Sequence, residues 1–143
     1  MKLPSIKNLI LCDTILWDKI TNKQTLVGVF DHFNSAVFPF SYQHWIYLSM
    51  IGGSGKVLAK LTLEHLDTGL STLLNQGEWE FHNELASVST LERALSTFPA
   101  PGNYEFALKT LNNKTFATRS FKVSSLAPPP TGGFSAHFPA PEK

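Results

Sequence analysis

Residues 98–106 read FPAPGNYEF, and this stretch decides the fold that the sequence predicts. Its two prolines cannot donate to a β-ladder, and the glycine after them favours a sharp corner. Beyond the corner, Tyr104 and Phe106 alternate with polar residues, which is the period of a strand with one buried face. In Greek-key sandwiches a tyrosine just after such a corner folds its hydroxyl back onto the upstream backbone, and we expect this of Tyr104.

Short apolar segments separated by turn signals extend outward from this corner. Residues 9–16 are almost continuously apolar, as in a strand covered on both faces, and residues 25–30 return as its hairpin partner. Residues 57–64 alternate between an apolar and a polar face, and residues 115–123 close the sheet. Residues 85–98 fit either a strand or a helical turn.

About eight strands, with turn signals roughly every 8–12 residues and no long helix, predict an all-β fold. We expect an antiparallel immunoglobulin-like (Greek-key) β-sandwich over residues 1–125, with a small barrel as the alternative. In that sandwich Phe106 takes the place of the second cysteine of an antibody domain, so aromatic packing would join the sheets. Residues 126–143 contain PPPTGG and are expected to form a flexible Pro/Gly-rich tail, or a segment that docks on a partner.

Composition narrows the classes of function. The 143 residues carry a formal net charge of +1, so the sequence shows no basic footprint for nucleic acid. Charged residues make up 16%, against about 25% in an average globular domain, which indicates a neutral polar surface or one covered by a partner. Cys12 is the single cysteine and indicates a reducing compartment. No stretch reaches the ~20 apolar residues of a membrane helix, so we expect a cytoplasmic protein without membrane association.

Motifs for cofactors fail on spacing. The glycine run before Lys56 does not form a phosphate loop, because Met50 and Val57 stand where that motif needs glycine and Ser or Thr. Glu80 and His82 could share one strand face and hold a metal with a third ligand, but a solvated outer face explains them more simply. We expect neither a cofactor nor a metal.

The strand around Cys12 holds the residues closest to reactive chemistry. A thiol in mid-strand is expected to be buried and inert. Asp13 lies in an apolar strand and must find donors, so we interpret it as a structural hydrogen-bond acceptor rather than a catalytic acid. An enzyme would need His44 or Cys12 to meet an acid in space, as in a small hydrolase.

Exposed aromatic residues are the candidate binding residues. Trp79 alternates with polar neighbours and is expected in the core, whereas Trp17 lies beside a turn and is expected to be exposed. Phe134 and Phe138 interrupt an otherwise polar tail and could dock on a neighbouring chain or on this chain's own sheet. We predict Trp17, Phe134 and Phe138 as binding residues.

Four motifs together resemble those of a known family. They are the Leu-Cys-Asp strand at 11–13, the Gly-Val-Phe-Asp segment at 28–31, Phe-Pro at 38–39 and the corner at 98–106. The set is similar to a bacterial family of small uncharacterised proteins that share an opening Leu-Cys-Asp strand and a Pro-Gly-x-Tyr corner. The likeness spans most of residues 9–123. It implies a bacterial cytoplasmic sandwich and offers no catalytic residue to transfer.

We therefore predict a non-enzymatic protein-interaction or structural module that acts through a sandwich edge, its loops or its tail. The partner would be another protein or a second copy, bound by strand addition to an exposed edge. One alternative is a carbohydrate- or small-ligand-binding sandwich that uses Trp17. The other is the small hydrolase.

Overall fold

The computed structural model describes residues 2–126, and its regular structure there consists of strands. They are β1 (Ser5–Asp18), β2 (Lys23–Phe30), β3 (His32–Ser35), β4 (Phe40–Ile51), β5 (Gly55–His65), β6 (Ser71–Phe81), β7 (Ser87–Phe98), β8 (Gly102–Thr110) and β9 (Thr115–Ser125). Nine strands replace the eight expected, because the four-residue β3 gives too little sequence signal to be recognised. Phe134 and Phe138, and the predicted tail from residue 127 on, lie outside the described residues.

The strands form two packed sheets, in the orders β2-β1-β4-β7 and β3-β9-β8-β5-β6. Neighbours are antiparallel, except that β3 runs parallel to β9. The chain therefore leaves the first sheet after β2 and joins the edge of the second as β3. It crosses between the sheets again at β3–β4, β4–β5, β6–β7 and β7–β8. This is an immunoglobulin-like β-sandwich, as predicted, rather than a small barrel.

Alternation along the strands builds the core between the sheets. Val57, Ala59, Leu61 and Leu63 of β5 are all buried, as expected for the apolar face of that strand. Trp79 of β6 also belongs to the core, as predicted. Burial of these inward-facing side chains supplies the main driving force for association of the two sheets.

The prediction of a polar outer face for β5 is wrong at one residue. Thr62 is buried, and its hydroxyl Oγ1 donates to the carbonyl oxygen of Ala107 at 3.4 Å. The β5–β6 pairing shifts register between Leu61 and Thr62. This irregularity changes how the neighbouring strand covers Thr62, which an alternation pattern does not record.

The corner between β7 and β8 has the geometry that its sequence predicts. The Tyr104 hydroxyl donates to the carbonyl oxygen of Ala100 at 2.6 Å, and the side chain is 1% exposed. Two residues on, the Phe106 ring lies with its centroid 5.7 Å from that of His44 on β4, in an edge-to-face arrangement. The expected aromatic contact between the sheets is therefore present, and it joins the Phe106 ring to the imidazole of His44.

Residues 85–98, which fitted two interpretations, contain the strand β7. All twelve of its residues pair with β4, from Phe40↔Phe98 to Ile51↔Ser87. The helix-forming residues at 91–95 are thus overridden by a ladder that runs the full length of the strand.

The β1–β2 hairpin forms as expected, with Asp18 paired to Lys23 at its tip. The expected covering of both faces up to Leu16 is wrong, because Asp13, Thr14 and Leu16 are exposed. Pairing of β1 with β4 ends at Cys12↔Trp45, so beyond Cys12 the strand β1 has no ladder partner on that side within residues 2–126. Its outer half extends beyond the β1–β4 ladder.

Within residues 2–126 no helix is long and apolar enough to cross a membrane.

Candidate functional site

A cleft of about 350 Å³ opens at the base of the hairpin, and we call it the hairpin cleft. Four strands or their ends line it. Asp13 comes from β1, residues 28–30 from β2, residues 32–34 from β3, and Phe40 and Tyr42 from β4. The cleft lies where β1 and β4 separate and where the chain crosses from the first sheet to the second.

Asp13 and Tyr42 form the polar centre of the hairpin cleft. The Tyr42 hydroxyl donates to Oδ1 of Asp13, so this carboxylate is a hydrogen-bond acceptor, as its place in an apolar strand predicted. The bond raises the pKa of Tyr42, with burial and the Asp13 charge acting in the same direction. The phenol is therefore held in its protonated, donating form.

Gly28 makes room for the carboxylate. Its φ is +68°, and a Cβ at this position would lie 2.3 Å from Oδ2 of Asp13. The ladder pairs Cys12 with Val29 and Thr14 with Val27, so Asp13 lies beside this glycine. Any larger residue at position 28 would force the carboxylate to move away from the β2 backbone.

His44 lies behind Tyr42, between the sheets. Its ring stacks on Tyr42 with a centroid distance of 6.3 Å, and its Nε2 lies 2.8 Å from the hydroxyl of Ser96. Its Nδ1 is buried without a hydrogen-bond partner in the described residues. Burial lowers the pKa of His44, while the Trp45 backbone and the charge of Asp13 oppose that shift.

The groups named in the hydrolase alternative are buried. His44 and Cys12 have no exposed surface, and neither does Ser96, the hydrogen-bond partner of His44. Burial raises the pKa of the Cys12 thiol, and the neighbouring Asp13 charge adds to the shift. Since the thiolate is the reactive form of cysteine, this environment favours an unreactive thiol, as the mid-strand position indicated.

His32 and His82 lie outside the core, and within residues 2–126 neither belongs to a group of side chains that could bind a metal ion. His32 Nδ1 lies 2.8 Å from Asp31 Oδ1 at the rim of the hairpin cleft, and this contact, first among the causes, lowers the pKa of Asp31. Asp31 falls between β2 and β3 rather than within a strand, so its carboxylate can meet the imidazole of the next residue. His82 follows the last residue of β6. No group of three His, Cys, Asp or Glu residues within 2–126 is placed to hold a metal ion.

A second polar cluster supports the β7–β8 corner. The ring of His65 stacks on Tyr104 with a centroid distance of 4.3 Å and an interplanar angle of 5°. Asp67 Oδ2 accepts the backbone N–H of Asn103 at 3.0 Å, which is the largest cause of the lowered pKa of Asp67. A Cβ on Gly102 would lie 2.7 Å from Nε2 of His65. These contacts fix the corner and leave a cleft of only about 120 Å³.

Exposed apolar side chains concentrate on the hairpin. Of the fourteen exposed large hydrophobic residues in the described part of the chain, five lie between residues 16 and 29: Leu16, Trp17, Ile20, Val27 and Val29. Trp17 is 56% exposed, as its position beside the turn predicted, and its indole N–H donates to Asn22 Oδ1 at 3.0 Å. Its binding role stays a prediction.

The hairpin tip also faces the first sheet. Asn22, Gln24 and Leu26 line an open cleft of about 600 Å³ together with Tyr47 of β4 and Ser89 of β7. Tyr47 lies between the buried Ile46 and Leu48 and therefore points away from the core. The tip thus stands over the outer side of this sheet.

Strand order, the tyrosine corner and the inter-sheet ring contact define an immunoglobulin-like β-sandwich to which an edge strand, β2, has been added. The chain belongs to a family of unknown function (DUF6941), whose profile matches residues 7–124. A comparison with curated proteins gives no match.

Solved structures similar to this chain include two bacterial β-glucosidases. The enzyme from Listeria innocua in complex with isofagomine shares 9% identity, with a TM-score of 0.43 over 85% of this chain and 16% of that one. β-Glucosidase 3B from Thermotoga neapolitana in complex with α-D-glucose shares 10% identity, with a TM-score of 0.42 over 82% and 16%. This chain therefore spans about 16% of the length of those enzymes, and a likeness at this level carries no conclusion about function.

Proposed function

We propose that this chain is a non-enzymatic protein-interaction module that binds its partner through the β1–β2 hairpin. The observation that carries the proposal is the concentration of exposed apolar side chains between residues 16 and 29. A group of exposed apolar side chains on one element of a globular domain is typical of an interaction surface.

The backbone of β2 supports the same proposal. Among the strands of residues 2–126, β2 is the outermost of its sheet and pairs with β1 alone. Its eight residues include no proline, and Lys23 at the tip is its single charged residue. Natural edge strands are commonly protected by charges, prolines or short length, and β2 lacks the first two over residues 24–30. A partner segment in extended conformation can therefore add to this edge.

The low charge of the chain agrees with a covered surface. A hairpin with exposed valine, leucine and tryptophan side chains gives a physical reason for a charged fraction of 16%. Covering these side chains by a partner would remove apolar area from water, which favours association.

The substitution Val29→Lys tests this proposal, with Leu111→Lys as its matched control. Val29 is 61% exposed on β2, and Leu111 is 45% exposed in the β8–β9 turn, so both lysines reach solvent. Tagged wild-type and variant chains are recovered from cells of the source organism, and co-purified proteins are quantified by mass spectrometry. Urea unfolding verifies that each variant keeps the wild-type stability.

We expect Val29→Lys to lose a specific co-purified protein that wild type and Leu111→Lys both retain, because a lysine disfavours both the apolar contact and strand addition. If that protein is this chain itself, the partner is a second copy, and light scattering gives the size of the assembly. Equal recovery with both lysine variants would contradict the proposal.

A further inference from the structure

We propose that the hairpin cleft binds a cationic group, the guanidinium of an arginine side chain carried by the segment that pairs with β2. The inference rests on the proposed function, since it specifies which partner segment the hairpin accepts. It adds a site and a ligand chemistry that the exposed apolar residues do not provide.

The charge of the hairpin cleft is the first argument. Among the described residues that line the cleft, Asp13 is the one with a formal negative charge, and none is a lysine or an arginine. Its Oδ1 accepts the Tyr42 hydroxyl, and no donor to its Oδ2 is found in residues 2–126. The carboxylate therefore keeps an oxygen with free lone pairs, which a charged N–H donor can use.

The cations of this chain do not neutralise the site. Arg119 of β9 lies near enough to Asp31 to contribute, as the smallest of several causes, to the lowered pKa of that carboxyl. It does not line the hairpin cleft. His32 at the rim is already in contact with Asp31 at 2.8 Å. Asp13 is thus left without an internal counter-charge among the described residues.

The walls of the cleft are aromatic. Phe30, Phe40 and Tyr42 are each partly exposed, and the Phe30 and Tyr42 centroids lie 5.9 Å apart at an interplanar angle of 85°. A cation placed over an aromatic face is attracted by the ring quadrupole, and arginine makes such contacts more often than lysine. Carboxylate and rings together therefore favour a planar, weakly hydrated cation over a neutral or anionic group.

Size and position connect this cleft to the edge of β2. A volume of about 350 Å³ admits one long side chain but is near the lower limit for a separate small-molecule site. Residues 28–30 form part of both the cleft wall and the free edge. A segment paired along β2 would therefore carry one of its alternate side chains to the cleft mouth.

The site can be tested without the partner, with N-acetyl-arginine amide as the probe. N-acetyl-citrulline amide is the control ligand, because it has nearly the same shape and no charge. Binding to the full chain is followed by two-dimensional amide NMR at millimolar probe concentrations. The variant is Asp13→Asn. Its matched control is Asp31→Asn, which removes the same charge from the connection between β2 and β3, where Asp31 contacts His32 but does not line the cleft.

We expect the arginine probe to shift the amide signals of residues 28–34, and the citrulline probe to leave them in place. Asp13→Asn should weaken binding about tenfold or more, whereas Asp31→Asn should change it less than about twofold. No arginine-dependent shifts, or equal binding by Asp13→Asn, would overturn the inference. Probe binding is measured with Val29 intact and without a protein partner, so its failure is separate from a failure of the Val29→Lys experiment.

Discussion

Tyr104 and Tyr42 both donate a hydrogen bond from near the same end of the sandwich, yet their surroundings differ. Tyr104 is buried, stacks on His65 and donates to a backbone carbonyl that no ligand can replace. Tyr42 is partly exposed and donates to a carboxylate that lines an open cleft. The contacts of the β7–β8 corner therefore stabilise the fold. The hairpin cleft leaves a carboxylate oxygen of Asp13 free to accept a hydrogen bond, as a binding site does.

The largest expected effect is the difference between the two tyrosines in how much their removal lowers the free energy of unfolding. Tyr104→Ala removes a fully buried ring and should cost about 3–5 kcal/mol in the free energy of unfolding. Tyr42→Ala removes a partly exposed ring and should cost about 1–2 kcal/mol. Urea denaturation of both variants measures the difference, and equal costs would contradict the division of the molecule into a closed corner and an open cleft.

Alanine substitutions at Gly102 in the corner and at Gly28 in the hairpin cleft are expected to have intermediate effects on stability. Gly102 has φ +150°, and a Cβ there would lie 2.3 Å from Oδ2 of Asp67 and 2.7 Å from Nε2 of His65. The His65 ring is buried and has little room to move. Gly102→Ala should therefore destabilise the chain by about 1–3 kcal/mol. The exposed Asp13 carboxylate can rotate away from a Cβ at position 28, so Gly28→Ala should cost about 1–2 kcal/mol for its positive φ.

Ligand binding should reverse the order of the two glycine variants. Gly28→Ala displaces the carboxylate that the arginine probe would contact, whereas Gly102→Ala leaves the hairpin cleft intact. We expect the first variant to lose arginine-probe shifts and the second to keep them. Loss of probe binding by Gly102→Ala at a pH and temperature where it is folded would mean that the corner and the cleft are not independent.

The smallest expected effect is a pH dependence of stability from His44. Its pKa is lowered from 6.5 by burial, so the unfolded chain takes up a proton first as the pH falls. The stability contributed by neutral His44 is present above about pH 6.5 and is lost as the pH falls through its folded pKa. His44→Gln can keep a hydrogen bond to Ser96 and removes the titration. Urea unfolding from pH 7.5 to 5 should show a smaller decline in the free energy of unfolding for His44→Gln than for wild type. An equal decline in both chains would contradict this assignment to His44.

Features of the fold that depend on residues close together in the sequence could be predicted, and features that depend on pairing between distant strands could not. The corner could be predicted because its two prolines, Gly102 and Tyr104 lie within one short segment whose chemistry allows few backbone paths. The alternation of β5 likewise predicted its buried face. The predictions for the burial of Thr62 and of the outer half of β1 were wrong. Coverage of Thr62 depends on a register shift in the β5–β6 pairing, and coverage of β1 depends on where the β1–β4 ladder ends.

The candidate site could be predicted only in part. Asp13 was recognised as an acceptor from its place in an apolar strand, but its donor Tyr42 is 29 positions away, and nothing local links them. Gly28 gave no sign that it lies against the carboxylate. Trp17 was recognised by its place beside a turn, whereas no local feature of the sequence marked Phe30 and Phe40 as residues of a cleft. Long-range pairing brings these groups together.

Site-specific photo-crosslinking in living cells tests the central claim most directly. A photoreactive phenylalanine analogue replaces Val29 on the free edge of β2 in one chain and Leu111 in the β8–β9 turn in another. The account predicts a defined crosslinked product from position 29, with the crosslink mapped to an extended segment of the partner, and none from position 111. Products of equal yield from both positions, or none from position 29 while position 111 reacts, would contradict it.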